Sequence, residues 1–270
     1  MTTAQPTLVC PRALLLDFGG VIVETVHRPT WADELAREVY DQLLACTDQV
    51  PKPERVRDDI VAGAAAASAW KNAMSRPMHP AEMSARQYWG DYVATDWPAA
   101  ARELVLAHAL PLAKRQGELR SERHQRRGVI ELLDLADALG VRVAIVSNAL
   151  SGVVHRDWMT EHGLDQRVAL EVYSDEVGLR KPNPEMIWIA TRALGIEPEE
   201  AWYVGDNFDR DVVCGRRARV GGTILMEAAD TYRRPYLVHD QPDAVVADPV
   251  GLRDLLADTG QIAPATGGRP

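Results

Sequence analysis

Three apolar runs in this 270-residue chain each end on side chains that can do polar chemistry. LLLDFGG runs into Asp17, VRVAIVSN ends on Ser147 and Asn148, and AWYVGDN ends on Asp206, with Asp211 five residues further on. A fourth segment, GLRKPNP, carries Lys181 ahead of Pro182 and Pro184, which stiffen its loop. Lysine is scarce here. Lys52, Lys71, Lys114 and Lys181 are the four lysines among 30 basic residues, so a well-placed one is informative.

Asp17 and Asp206 would repel in one crevice unless a cation sat between them. Oxygen-only donors suit Mg²⁺, which keeps several waters and needs one or two carboxylates. Asp211 can reach the same ion, directly or through water. The hydroxyl and amide at 147–148 can bind phosphate oxygens, and Lys181 supplies a point positive charge. Taken singly these signals are weak. A strand-ending aspartate is commonly a turn residue, and GDNFDRD also reads as an acidic turn with helix-capping aspartates. Order and spacing together carry the argument.

Those residues need strands that end side by side. Buried strands are expected at 13–16, 141–148, 169–175, 201–207, 221–226 and 244–248, with a short extended piece at 21–23. Helices are expected between them, at 128–140, 151–163, 184–195, from 211 and from 250, closed at Gly140 and Gly195. Strands alternating with helices predict an α/β fold with a doubly wound parallel sheet. Chemistry in such sheets gathers at the C-terminal strand ends. Residues 24–126 break the alternation. They show helical spacing over 31–47, from Pro53, from Pro80 through Tyr92 and from Pro98, with no convincing strand. This predicts an all-helical insertion.

Composition narrows the partners. The net charge of −9 disfavours nucleic acid and anionic lipid. No apolar run approaches the roughly 20 residues of a membrane span. Cys10, Cys46 and Cys214 form neither a metal-ligand pattern nor a disulfide framework. The opening MTTAQPTLVC shows no secretory pattern, so a cytoplasmic protein is expected. Residues 259–270, rich in Gly, Pro, Ala and Thr, read as a disordered tail. Oligomeric state leaves no mark in the sequence.

LLLDFGGV, VSN, the lysine of RKPNP and VGDNFDRD, in that order, resemble the four motifs of the haloacid dehalogenase-like (HAD) superfamily, which is mostly Mg²⁺-dependent phosphatases. The likeness covers 13–23 and about 128–250. It implies a core domain of 1–23 and 127–258, and a helical C1-type cap of 24–126. It also implies roles. Asp17 would attack phosphorus and form an aspartyl-phosphate. Asp17, the backbone carbonyl of Gly19 and Asp206 would hold Mg²⁺, with Asp211 aiding. Ser147 and the backbone around it would bind the phosphoryl group. Lys181 would neutralise charge on nucleophile and phosphoryl oxygens. The substrate would be a small phosphorylated metabolite, a sugar phosphate being one candidate.

One position departs from the family pattern. Its phosphatases typically carry a second aspartate two residues after the nucleophile, as general acid; here Gly19 stands there. Such help is worth about 10²–10⁴-fold. Three readings stay open: a substrate whose leaving group needs little protonation, a replacement acid from Glu24 or His27, or a weak or inactive member that binds a phospho-ligand without turning it over. The dehalogenase branch usually has tyrosine at this place. The phosphonate-cleaving branch needs a cap lysine, and nothing in the sequence marks Lys52, Lys71 or Lys114 for that role. The aromatic residues Trp31, Trp70, Tyr88, Trp89, Tyr92 and Trp97 are expected mainly in the insertion's own core.

Overall fold

The computed structural model describes residues 8–260. Strands β1 (Ala13–Leu16), β4 (Arg142–Ser147), β5 (Leu170–Tyr173), β6 (Ala201–Gly205), β7 (Gly222–Met226) and β8 (Ala244–Val246) form one parallel sheet in the order β5-β4-β1-β6-β7-β8. Strands β2 (Val23–His27) and β3 (Ser121–Gln125) lie outside it. Parallel strands are covered on both faces and so read as unbroken apolar runs. In β1, Leu14 and Leu16 join one hydrophobic cluster while Ala13 and Leu15 join another. Successive side chains alternate between the two faces of the sheet.

β1 is the pivot of this sheet. It pairs with β4 on one side and β6 on the other, and Leu16 lies level with both Ile145 and Val204. The C-terminal ends of the three strands are therefore adjacent. That register, set by the apolar pattern, brings residues 17, 147 and 206 together.

The insertion is helical except at its entrance and exit. There β2 (Val23–His27) pairs antiparallel with β3 (Ser121–Gln125), Val23 opposite Gln125 and His27 opposite Ser121. The all-helical expectation missed this ribbon. Only Val23 of β2 is buried, so the sequence shows no alternating apolar face. Helices Trp31–Leu44, Pro53–Met74, Ala99–Ala107 and Ala109–Arg120 follow the expected spacing. Trp31, Tyr88, Trp89 and Trp97 are buried in the insertion's own cluster, and Trp70 and Tyr92 pack against it.

Pro80 does not open a helix. The next helix begins at Ala85, where the Ser84 hydroxyl accepts the Gln87 N–H, and continues as a π-helical turn over Tyr88–Val93. Residues 80–82 instead run beside the segment that precedes Lys181. Ala81 bridges Leu179, the Glu82 N–H donates to the Gly178 carbonyl at 3.0 Å, and the Arg180 N–H to the Pro80 carbonyl at 3.3 Å. Arg180 and Glu82 form an ion pair at 2.6 Å, both nearly fully buried, and the Ser174 hydroxyl donates to the other Glu82 oxygen.

The final helix runs Pro249–Gly260. Thr259 and Gly260, expected in a disordered tail, belong to it, and the Thr259 hydroxyl donates to the Leu256 carbonyl. The rest of that expected tail, 261–270, lies outside the described residues. Among the described residues no helix is long and apolar enough to cross a membrane.

Candidate active site

Asp17 stands at the C-terminal end of β1. Its backbone N–H donates to the Val204 carbonyl at 2.8 Å, and its Oδ1 accepts the Phe18 N–H at 2.8 Å. Its other oxygen meets the Lys181 ammonium at 3.0 Å. Lys181 also reaches Asp211 Oδ1 at 2.7 Å and donates to the Tyr203 hydroxyl at 2.8 Å. All three N–H bonds of the ammonium are thus engaged. Tyr203 passes its own O–H to Asp211 at 2.8 Å, and the Asn207 N–H donates to the second Asp211 oxygen.

Burial pushes the Lys181 pKa down, but Asp17 and Asp211 outweigh it and hold it above the ordinary lysine value. Burial likewise pushes Asp211 up. The Lys181 charge and hydrogen bonds from Lys181, Asn207 and Tyr203 overcome it, so Asp211 stays ionised. Asp17 ends above the usual range, raised by burial and by Asp211 against the pull of Lys181. Asp206, which lacks a lysine contact of its own, is pushed up to about 7 by burial and by the Asp211 and Asp17 charges.

Carboxylate oxygens of Asp17, Asp206 and Asp211 lie within 4.8 Å of one another. Three carboxylates therefore face one ammonium, and every donor in the set is oxygen. This is a fit for a hard divalent cation such as Mg²⁺. Asp211 is the most committed of the three, accepting from Lys181, Tyr203 and the Asn207 N–H.

Two glycines make this approach possible. Gly20 has φ of +74°, and a Cβ there would lie 2.6 Å from the Asp206 carboxyl carbon. A Cβ on Gly205 would lie 2.2 Å from the Asp211 carboxyl carbon. Gly19 is different. A Cβ there meets nothing within 4 Å and its φ lies outside the left-handed region. The place of the absent acid is open space.

Asp17, Gly19, Ser147, Asn148 and Asp206 line one cavity of about 360 Å³. Ser147 is buried at the end of β4, beside Asp17, whose ionised form it favours. The Asn148 side-chain oxygen accepts the Lys181 N–H at 2.8 Å and its amide donates to the Lys181 carbonyl at 3.2 Å. The amide group expected at the phosphate thus also clamps the lysine loop, in a residue that lines the cavity. Glu24 lines the cavity; His27 lines the neighbouring one.

Two wall residues, Arg126 and His155, and one fully buried residue behind them, Tyr203, were not foreseen. The Arg126 guanidinium ties together the Gly20, Glu227 and Ala247 carbonyls. His155 stacks on Phe18 with ring centroids 4.2 Å apart, and its Nδ1 has no hydrogen-bond partner among the described residues. Burial pushes its pKa down to about 3, so the imidazole is neutral. Tyr203 reads in the sequence as one more strand residue. Only the register with Lys181 reveals it as a contact between two charges.

The chain belongs to the haloacid dehalogenase-like hydrolase family, whose model matches residues 11–219. Among curated relatives, glyceraldehyde 3-phosphate phosphatase of Methanopyrus kandleri is 30% identical over 132 residues, 48% of this chain and 55% of that protein. Phosphoserine phosphatase of Thermus thermophilus is 32% identical over 163 residues, 56% of this chain and 64% of that protein. The chain thus spans between half and two thirds of the length of these relatives. Among solved structures, 2-haloacid dehalogenase of Pseudomonas syringae pv. Tomato superposes with a TM-score of 0.59 at 15% identity, covering 91% of this chain and 98% of that one. CbbY of Rhodobacter sphaeroides gives 0.52 at 16% identity, over 90% and 96%. At such identities these structures share the fold.

Proposed function

We propose that the protein is a cytoplasmic, Mg²⁺-dependent phosphatase of a small phosphorylated metabolite, with Asp17 as nucleophile. One observation carries this reading above the rest. A buried ammonium touches both Asp211 and the strand-end carboxylate Asp17, which lines one cavity with Ser147 and Gly19. The relatives named as phosphatases of small phosphate esters point the same way.

Asp17, Asp206 and the Gly19 carbonyl would hold the cation, with Asp211 aiding; when bound, it supplies charge neutralisation for the phosphoryl oxygens. Asp17 attacks phosphorus through the oxygen not engaged by Phe18, forming an aspartyl-phosphate as the leaving alkoxide departs. Water then cleaves that acyl phosphate. Lys181 offsets charge on the nucleophile and transferring group throughout, held in place by Tyr203, Asp211 and the Asn148 clamp. Ser147 and the backbone at 148 orient the phosphoryl oxygens. Glu24, on the strand just after Gly19, lines the same cavity whereas His27 lines the neighbouring one, which favours Glu24 over His27 as proton donor to the leaving group.

The test is phosphate release from a panel of phosphorylated metabolites with Mg²⁺ and with EDTA. Release that persists undiminished in EDTA refutes the metal assignment. No release from any member refutes the activity, and binding of a phosphate mimic such as beryllium fluoride without turnover identifies a phospho-ligand binding protein instead.

A further inference from the structure

A second cavity, of about 690 Å³, opens beside the catalytic one and shares Thr25, Asn207 and Asp230 with it as lining. The insertion and the core both build it. Arg120 comes from the end of helix Ala109–Arg120, Arg210 from the turn just before Asp211, and Arg233 and Arg234 from the loop after β7. Four arginines thus face one cavity whose lining carries a single aspartate, in a chain with 39 acidic and 30 basic residues.

These arginines lack the two-bond carboxylate grip that several others make: Arg115 on Glu38 at 2.8 and 2.7 Å, Arg156 on Glu176 at 3.0 and 2.6 Å, Arg216 on Asp243 at 3.0 and 2.8 Å. In the second cavity Arg120 and Arg234 lie over aromatic rings instead, Trp31 at 5.6 Å and Phe208 at 3.4 Å. Stacking fixes the plane of a guanidinium but leaves its N–H donors unused. Arg210 meets only its neighbour Asp209, at 3.5 Å, and its Nε has no hydrogen-bond partner among the described residues. Arg233 reaches Asp230 only at 4.0 Å, with both side chains largely exposed. The charge of this group extends beyond the cavity. Lys71, in the helix above, is pushed down to about 8 by burial and by Arg180, with Arg120 and Arg210 adding to the effect against Glu82.

Four cations around one cavity with only two loosely placed aspartates, Asp209 and Asp230, are an unfavourable arrangement unless an anion joins them. Planar, pre-oriented guanidinium forks suit a carboxylate or a phosphate. We infer, on the basis of the phosphatase reading above, that the substrate carries a second anionic group besides the phosphoryl that is transferred, and that Arg120, Arg210, Arg233 and Arg234 hold it. The substrate class is a phosphorylated carboxylic acid or a bisphosphate, with its two anions spanning the two cavities.

The test uses equilibrium binding, so that it does not depend on turnover. Asp17→Asn protein with Mg²⁺ is titrated with alkyl phosphates of increasing chain length, with ω-carboxyalkyl phosphates and with alkane bisphosphates of the same lengths. The second anion should tighten binding by about 10- to 100-fold at one favoured length, the range for hydrogen bonds to charged groups. Arg120→Gln and Arg210→Gln in that background should remove most of the gain. Arg233→Gln, at a side chain 87% exposed, tests the same point with no risk to folding. The better of the two second anions identifies carboxylate or phosphate. Equal binding with and without the second anion at every length overturns the inference. Phosphate release by wild-type protein is read in parallel. A binding preference without any release leaves the subsite standing and defeats the phosphatase reading; release without any preference does the reverse.

Discussion

Residues 180 and 181 are neighbours in the chain, and both are cations buried almost completely, yet they serve two differently built regions. Arg180 meets one carboxylate, Glu82, whose other oxygen takes the Ser174 hydroxyl. That region, the seam between insertion and core, balances one charge with one charge. Lys181 meets Asp17 and Asp211 with Asp206 close by, so the crevice sets three carboxylates against one ammonium. Burying charge is costly unless it is paired. A balanced buried pair can be a purely structural element. A buried surplus is relieved only by a cation or a proton, and the raised Asp206 and Asp17 carboxyls register that demand. The imbalance, more than the burial, separates the working region from the structural one.

The sharpest way to break this comparison is Asp17→Asn. If the crevice is catalytic, phosphate release should fall by at least about 10³-fold while the melting curve holds steady, because the nucleophile is gone and its shape is kept. Near-wild-type turnover would erase the difference between the regions. At the seam the expectation is reversed. Glu82→Ala leaves Arg180 buried without a partner and should lower stability by about 3–5 kcal/mol in urea unfolding, with turnover per folded molecule largely retained. A loss below about 1 kcal/mol would show that the seam pair is not closed.

Gly19→Asp sharpens the comparison by adding a fourth carboxylate to the acid-rich side. The open space at Gly19 admits it. Hydrolysis of alkyl phosphates should quicken by up to about 10²-fold, and of p-nitrophenyl phosphate much less, since a proton donor helps most where the leaving oxygen is most basic. Equal or reduced rates on alkyl phosphates in a folded variant would mean that proton donation is not what limits the protein. Gly20→Ala is the contrasting control, strained by its φ and by the Asp206 carboxylate. The smallest expected effect is in metal demand. Asp206→Ala should raise the Mg²⁺ concentration for half-maximal rate by about tenfold, and Lys181→Met should lower the rate without moving that concentration. An unchanged Mg²⁺ requirement in Asp206→Ala would remove that residue from the ligand set.

The sequence showed the sheet and the three aspartates well, for a physical reason. Strands covered on both faces must be apolar throughout, so Asp17 and Asp206 stand out where those runs stop. The β2–β3 ribbon stayed hidden because VETVH and SERHQ are mostly exposed and carry no apolar alternation. The Asn148 clamp on the lysine loop stayed hidden, since an amide facing phosphate and an amide facing a lysine loop look alike in sequence. The Arg180–Glu82 pair spans 98 residues and had no local signal. Gly19 drew attention by what it lacked, while the glycine that sterics demand is its neighbour, Gly20.

The bridge between Ala81 and Leu179 has a mechanical consequence. An insertion joined to its core by the β2–β3 ribbon alone would be a flag on a single pole, free to tilt, twist and wag. A second attachment, made about midway through the inserted sequence, turns the flag into a door with two hinges. A rigid body pinned at two points keeps one rotation, about the line through the pins. Further contacts, Ser75 to Tyr236, Arg217 to the Arg76 and Pro77 carbonyls and Lys114 to Asp157, restrain even that rotation. The second pin lies just before Lys181, so the insertion is anchored on the same segment that carries the buried Lys181 ammonium.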